Sequence, residues 1–145
     1  MTTPNTATLL AEMERRQAHL RELLAADTPD FAVRPPTGNW SVLENLQHLA
    51  FAEQAHFRRY LVEPQPWNKF ALPDSGSRAA KGTGVLAANA AEVFQEWAKV
   101  HEETMTLVDN NDPRLVNRLE RHLRHLNAHT RVIERLLKAP GQPRV

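Results

Sequence analysis

Apolar residues recur along this chain at steps of three and four in four separate stretches, the spacing of helices that bury one face. From about Thr6 to Ala26 the stripe is Leu10, Met13, Leu20 and Leu24, with Glu12, Arg15, Arg16, Arg21 and Glu22 between them. The second stretch, from Ser41 to about Val62, carries Val42, Leu46, Leu49, Ala50, Phe57 and Tyr60. Phe51, Ala52 and Ala55 add apolar groups on its other side, so this helix is expected to be buried on more than one face. A third, from about Val85 to Asp109, repeats Leu86, Ala90, Val93, Trp97, Val100, Thr104 and Leu107. The fourth repeats Val116, Leu119, Leu123, Leu126, Thr130, Ile133 and Leu137 and closes near Lys138, before Pro140-Gly141. The pattern predicts an all-α chain, an up-and-down four-helix bundle.

The punctuation between the stripes agrees with this division. Pro29, Pro35, Pro36 and Gly38 make residues 27–39 a connector. Ser41 followed by Glu44 three residues later is a capping box that fixes the start of the second helix. Asp112 and Pro113 give the fourth helix a cap and a first position that needs no N–H partner. The stretch 63–84 contains Pro64, Pro66, Pro73, Gly76, Gly82 and Gly84 without periodicity and reads as a long covering loop between helices two and three. Trp67 and Phe70 are expected to tuck it onto the bundle, and Arg78 and Lys81 to offer charge to an anionic ligand or simply to water.

Composition narrows the chemistry. A chain of 145 residues fits a single domain, 1–145. It has no cysteine, so any metal must be held by imidazole or oxygen and any thiol must come from outside. A net charge of +1 argues against a nucleic-acid binder with a broad basic surface. The N-terminal residues lack a basic region followed by an apolar run, and no stretch approaches a membrane span, so the expected location is the cytoplasm and the expected partner a small molecule.

The candidate chemistry lies in the histidines. His122, His125 and His129 fall within two turns of the fourth helix, and the step from His125 to His129 lets two imidazoles point at one ion. On a helical wheel these residues border the apolar stripe without filling it. His48 sits in an uncharged run of the second helix and reads either as a hydrogen-bonded core residue or as a third ligand. Together they make a divalent-metal site, with Zn, Ni, Fe or Mn as the cation, one of two readings; the other is that the three are partly exposed polar residues and His48 is merely buried. Glu53 falls on the apolar stripe, where its carboxylate is expected either to pair with an arginine from a neighbouring helix or to border a polar pocket. His19 and His101 read as exposed.

Two segments carry a family resemblance. Arg34-Pro35-Pro36-Thr37-Gly38-Asn39-Trp40-Ser41-Val42-Leu43-Glu44-Asn45-Leu46-Gln47-His48-Leu49 and His125-Leu126-Asn127-Ala128-His129-Thr130-Arg131-Val132-Ile133 resemble the tryptophan-serine start of helix two and the HxxxH of helix four in the DinB superfamily. The resemblance implies a four-helix fold and a divalent metal bound by one histidine of helix two and both of HxxxH, here His48, His125 and His129. It gives His122 no place in the motif, so that residue either supports the ligands or is an exposed neighbour. Glu44 lies one turn before His48 and is a candidate to orient its imidazole, although the capping box uses the same carboxylate, and Glu53 is a candidate for a substrate contact. Among members it implies either thiol-dependent S-transferases using a low-molecular-weight thiol or metal-dependent hydrolases. The alternative is a non-catalytic bundle that binds metal or a small ligand, or forms a homodimer, in a stress response.

Overall fold

The computed structural model describes residues 5–68, Phe70 and residues 86–138. Four helices run over Thr6–Leu23 (α1), Val42–Phe57 (α2), Ala90–Met105 (α3) and Pro113–Lys138 (α4), with short 3-10 turns at Pro29–Ala32 and Arg58–Tyr60. The described residues contain no strand, and the expected all-α bundle is what they form. None of their helices is long and apolar enough to cross a membrane.

Each helix begins where a side chain can accept one of the orphan N–H groups of its first turn. Asn5 and Thr8 cap α1 reciprocally, as Ser41 and Glu44 cap α2. Asp112 Oδ1 accepts from Arg114 N at 2.8 Å at the head of α4. The third helix starts later than its stripe suggests, and two caps give the reason. Asn89 Oδ1 accepts from Glu92 N at 2.9 Å, and the Asp27 carboxylate takes Ala90 N at 2.7 Å and Ala91 N at 3.0 Å. Asp27 holds a left-handed backbone, φ 46°, to do this, and its charge sits at the positive end of the helix dipole. Leu86, before these caps, is left 55% exposed. α3 also closes at Met105 instead of running to Asp109, and α1 and α2 close at Leu23 and Phe57, a few residues short of their stripes.

Cross-helix bonds give the directions. Asn45, His48 and His56 of α2 meet His129, His125 and His122 of α4, so these two run antiparallel. Gln47 accepts from Ala87 N before α3, while Glu53 meets Trp97 and His101 within it, so α2 and α3 run the same way. Thr6 bonds to Asn110 O and His19 lies 3.4 Å from Glu134, so α1 and α4 also run together. The order of directions is therefore up, down, down, up, and not the strict alternation expected of an up-and-down bundle, because α2 and α3 lie parallel. Parallel neighbours cannot be joined by a tight turn, which accounts for the length of the connection between α2 and α3.

The core is built from the expected stripes, with Leu10, Met13, Leu20, Leu46, Leu49, Val93, Trp97, Leu119, Leu126 and Ile133 almost wholly buried. Each contributes roughly 1.5–3 kcal/mol of burial free energy. In α4 it is Leu115, not Val116, that enters it. Phe70 is buried in the core, and the Trp67 ring stands 5.9 Å from Phe51 with the Arg58 guanidinium 4.4 Å above it, as expected of the covering segment. Arg78 and Lys81 lie outside the described residues.

Candidate metal centre

The antiparallel contact of α2 with α4 brings His48 across from the HxxxH turn. His48, His125 and His129 each offer one nitrogen, and these atoms lie within 4.8 Å of one another. The Nε2 atoms of His48 and His125 are 3.2 Å apart. Two imidazole nitrogens bound to one ion at about 2.1 Å, at angles between octahedral and tetrahedral, stand roughly 3.0–3.4 Å apart, so the His48–His125 pair already has the spacing of two ligands of one divalent ion.

The third imidazole is fixed by a residue the sequence reading passed over. Asn45 Nδ2 donates to Ser41 O at 2.9 Å, which turns Asn45 Oδ1 toward α4, where it lies 2.8 Å from His129 Nδ1. An amide oxygen can only accept, so His129 carries its proton on Nδ1 and keeps the Nε2 lone pair for a ligand. Asn45 stands three residues before His48, on the same side of α2. Trp40 closes this end, its ring 5.1 Å from that of His48 and 6.4 Å from that of His129.

Two further histidines extend the array. His122 is not a residue at the edge of the core: it is fully buried, and its Nδ1 lies 2.9 Å from Nδ1 of His56. Its position in α4 puts it between Leu119 and Leu126, where the stripe turns inward. His56 was not singled out from the sequence, although it lies eight residues after His48 on a neighbouring line of α2. Its ring is 5.6 Å from that of His125, so five imidazoles line the α2–α4 contact.

These five are neutral. Burial, followed by the neighbouring imidazoles, pulls His48 down to about 3, and burial with the nearby His125 imidazole brings His129 to about 4. Burial lowers His122 to about 3 against the opposing pull of Glu53, and lowers His125 as well. Burial, then His125 and the charges of Arg118 and Arg121, bring His56 to about 4. Neutral imidazoles are the form that binds cations. The unfolded chain binds protons near pH 6.5 and the folded one only at lower pH, about 3 to 4 at His48, His56, His122 and His129, so stability held above pH 6.5 is lost as pH falls toward 4. Each such group contributes a slope of up to about 1.4 kcal/mol per pH unit. We expect the melting temperature of the metal-free protein to fall steadily between pH 7 and pH 5, and a flat profile over that range would contradict the neutral assignment.

Glu53 and His101 make a different arrangement. Glu53 is fully buried, and its carboxylate accepts from Gln17 Nε2 and Trp97 Nε1, each at 2.8 Å, and from His101 Nδ1 at 2.8 Å. Burial raises its proton affinity, but the His101 hydrogen bond and charge outweigh this and hold the carboxyl below its usual range. His101 is not exposed as its sequence neighbours suggest; only 13% of its side chain is accessible. Burial pulls it down, yet Glu53, assisted by Glu14, raises it above the ordinary histidine value. The partner expected for Glu53 is thus an imidazolium, not an arginine. Glu44 does not orient His48: its oxygens accept from Ser41 N at 3.0 Å and from Arg34 Nε and Nη2 at 2.8 and 2.7 Å. His19 is half exposed, as expected.

Among known proteins, a family model described as DinB superfamily matches residues 12–138. No curated protein and no solved structure gives a significant match.

Proposed function

The chain belongs to the DinB superfamily, and from that premise we propose that His48, His125 and His129 hold one divalent cation, Zn, Ni, Fe or Mn, and that the protein is a metal-dependent enzyme acting on a small molecule, either a thiol-dependent S-transferase or a hydrolase. The observation that carries the reading is the convergence of three neutral imidazole nitrogens within 4.8 Å, one of them with its tautomer set by Asn45. When bound, the cation supplies Lewis acidity to a molecule at its remaining positions, favouring a thiolate over a thiol or activating water. The chain's own residues do the rest. Asn45 keeps the proton on His129 Nδ1, Ser41 keeps Asn45 turned, and the Trp40 ring packs beside those of His48 and His129. With no cysteine in the chain, the nucleophilic sulfur of a transferase reaction has to arrive with a small thiol.

Asn45→Ala tests the orienting role. It is expected to weaken metal affinity about 10- to 100-fold while leaving the helical content unchanged, as read by competition with a chromophoric chelator. Unaltered affinity would remove Asn45 from the site. The enzyme reading is tested by assaying metal-loaded, untagged protein with low-molecular-weight thiols plus electrophiles, and separately with esters and amides. Turnover that requires an added thiol identifies the transferase, and thiol-independent cleavage the hydrolase. A loaded protein inert in both assays would instead be a metal-binding module.

A further inference from the structure

His48 belongs to a row of aromatic rings. The Trp40 ring lies 5.1 Å from it, the Phe51 ring 6.4 Å from it, and Trp67 follows at 5.9 Å from Phe51. Trp40 also stacks on His129, 6.4 Å away with 28° between the planes, so the row begins beside two of the three metal-site imidazoles. Phe51 is only 4% exposed, whereas Trp40 and Trp67 are half-buried. Residues 45–52 of α2, which include the middle of the row, carry no charged side chain. The far end is held by a buried amide. Gln54 donates from Nε2 to Pro66 O at 3.0 Å and accepts at Oε1 from Asn68 N at 3.0 Å and Asn68 Nδ2 at 2.7 Å. Both chain neighbours of Trp67 are thereby fixed to α2. Arg58 donates from Nη1 to Gln65 O at 2.6 Å and holds its guanidinium 4.4 Å from the indole. A polar side chain buried in α2 thus spends its hydrogen bonds on placing a ring that is itself left half-accessible.

We infer that Trp40, Phe51 and Trp67 form an apolar subsite of the metal centre, with Phe51 as its floor and the two indoles as its walls, and that the molecule it takes carries an uncharged aromatic ring. The ring lies about one helical turn, roughly 5 Å, from the group directed at the cation, as Phe51 lies one turn from His48. This rests on the proposed metal site and adds the class of molecule it takes. Small-molecule sites are lined mainly by apolar and aromatic side chains, with a few polar groups to fix orientation, and here the imidazoles are those groups. A planar ring laid along this row gains apolar burial and the offset or edge-to-face contacts that aromatic pairs favour. A charged group on that ring would meet no counter-charge from residues 45–52 and would lose its hydration there. Gln54 and Arg58 are positioning residues, acting through Trp67.

The test uses cobalt-loaded protein and two thiols, phenylmethanethiol and ethanethiol, each titrated while following the thiolate-to-cobalt absorption band. Phenylmethanethiol is expected to bind at least about tenfold more tightly, and the preference to shrink to within about twofold in Trp40→Ala/Trp67→Ala. Trp40→Phe/Trp67→Phe keeps a ring at each position and is expected to hold the preference within about threefold of wild type. Trp67→Ala alone, outside the four helices, is expected to lose about threefold or more, and it reads the subsite even where the double variant fails to fold. Phe94→Ala removes a half-buried ring of α3 that stacks on Trp97, and is expected to keep the wild-type ratio. Equal affinity of the two probes for wild type, a preference that survives both alanine variants, or an equal loss in Phe94→Ala overturns the subsite while leaving the metal site intact. Failure of the wild type to take up cobalt, or the absence of a thiolate band with either probe, overturns the metal reading itself.

Discussion

Replacing Glu53 by alanine is expected to destabilise the protein by about 3–5 kcal/mol, a large part of the total stability of an ordinary domain. The carboxylate is fully buried and receives three hydrogen bonds, so its removal leaves the His101 imidazolium, the Trp97 N–H and one Gln17 N–H in the core without their acceptor. Glu53→Gln keeps the volume but supplies no charge to His101, and is expected to fall between wild type and Glu53→Ala. Urea unfolding of both variants at pH 7 measures this, and a loss below about 1 kcal/mol for Glu53→Ala would contradict the buried pair. His101 gives the pair a pH signature of its own sign. Its folded value lies above the unfolded one, so its contribution is complete below about pH 6.5 and declines as pH rises through the folded value. That is opposite to the five lowered histidines, and the two effects together put maximal stability near neutrality.

The second large effect concerns the ligands. His48→Ala, His125→Ala and His129→Ala are each expected to lower affinity for zinc by at least about 100-fold, since removing one of three imidazoles should exceed the 10- to 100-fold cost of losing a residue that only orients a ligand. His19→Ala, on the exposed face of α1, should leave it unchanged. Chelator competition reads all four variants on one scale. If His48→Ala binds as wild type does, the helix-two ligand is misassigned even when the HxxxH pair is right.

These two sites differ in how well the sequence announced them. The helices were legible because their stripes obey a period of three to four and because Ser41-Glu44 and Asp112-Pro113 mark two starts unambiguously. The start of α3 was not, because part of its cap comes from Asp27, more than sixty residues away. The order of helix directions was misread as a simple alternation, since periodicity carries no information on which end of one helix meets which end of another. His48, His125 and His129 could be named from spacing and family resemblance, and the fold brings them together. Asn45 and His56 share the side of α2 that holds His48 and could have been found by projecting that helix around it. His101 was misread because Glu102 and Glu103 beside it suggested a solvated face, whereas the buried carboxylate of Glu53 draws its ring inward. Glu53 signalled a need for a partner, and only the packing of α2 against α3 identifies that partner as an imidazole.

The central claim, that three imidazoles converge on one cation through chosen nitrogens, is open to a direct measurement. Zinc titrated into metal-free, untagged protein at pH 7.5 can be followed by long-range ¹H–¹⁵N NMR of the histidine rings, which separates protonated, free and metal-bound nitrogens. Saturation is expected at one equivalent, with large shifts confined to one nitrogen each of His48, His125 and His129, and with Nδ1 of His129 still protonated against Asn45. Saturation without movement of these three rings, or a spectrum indifferent to zinc, would contradict it.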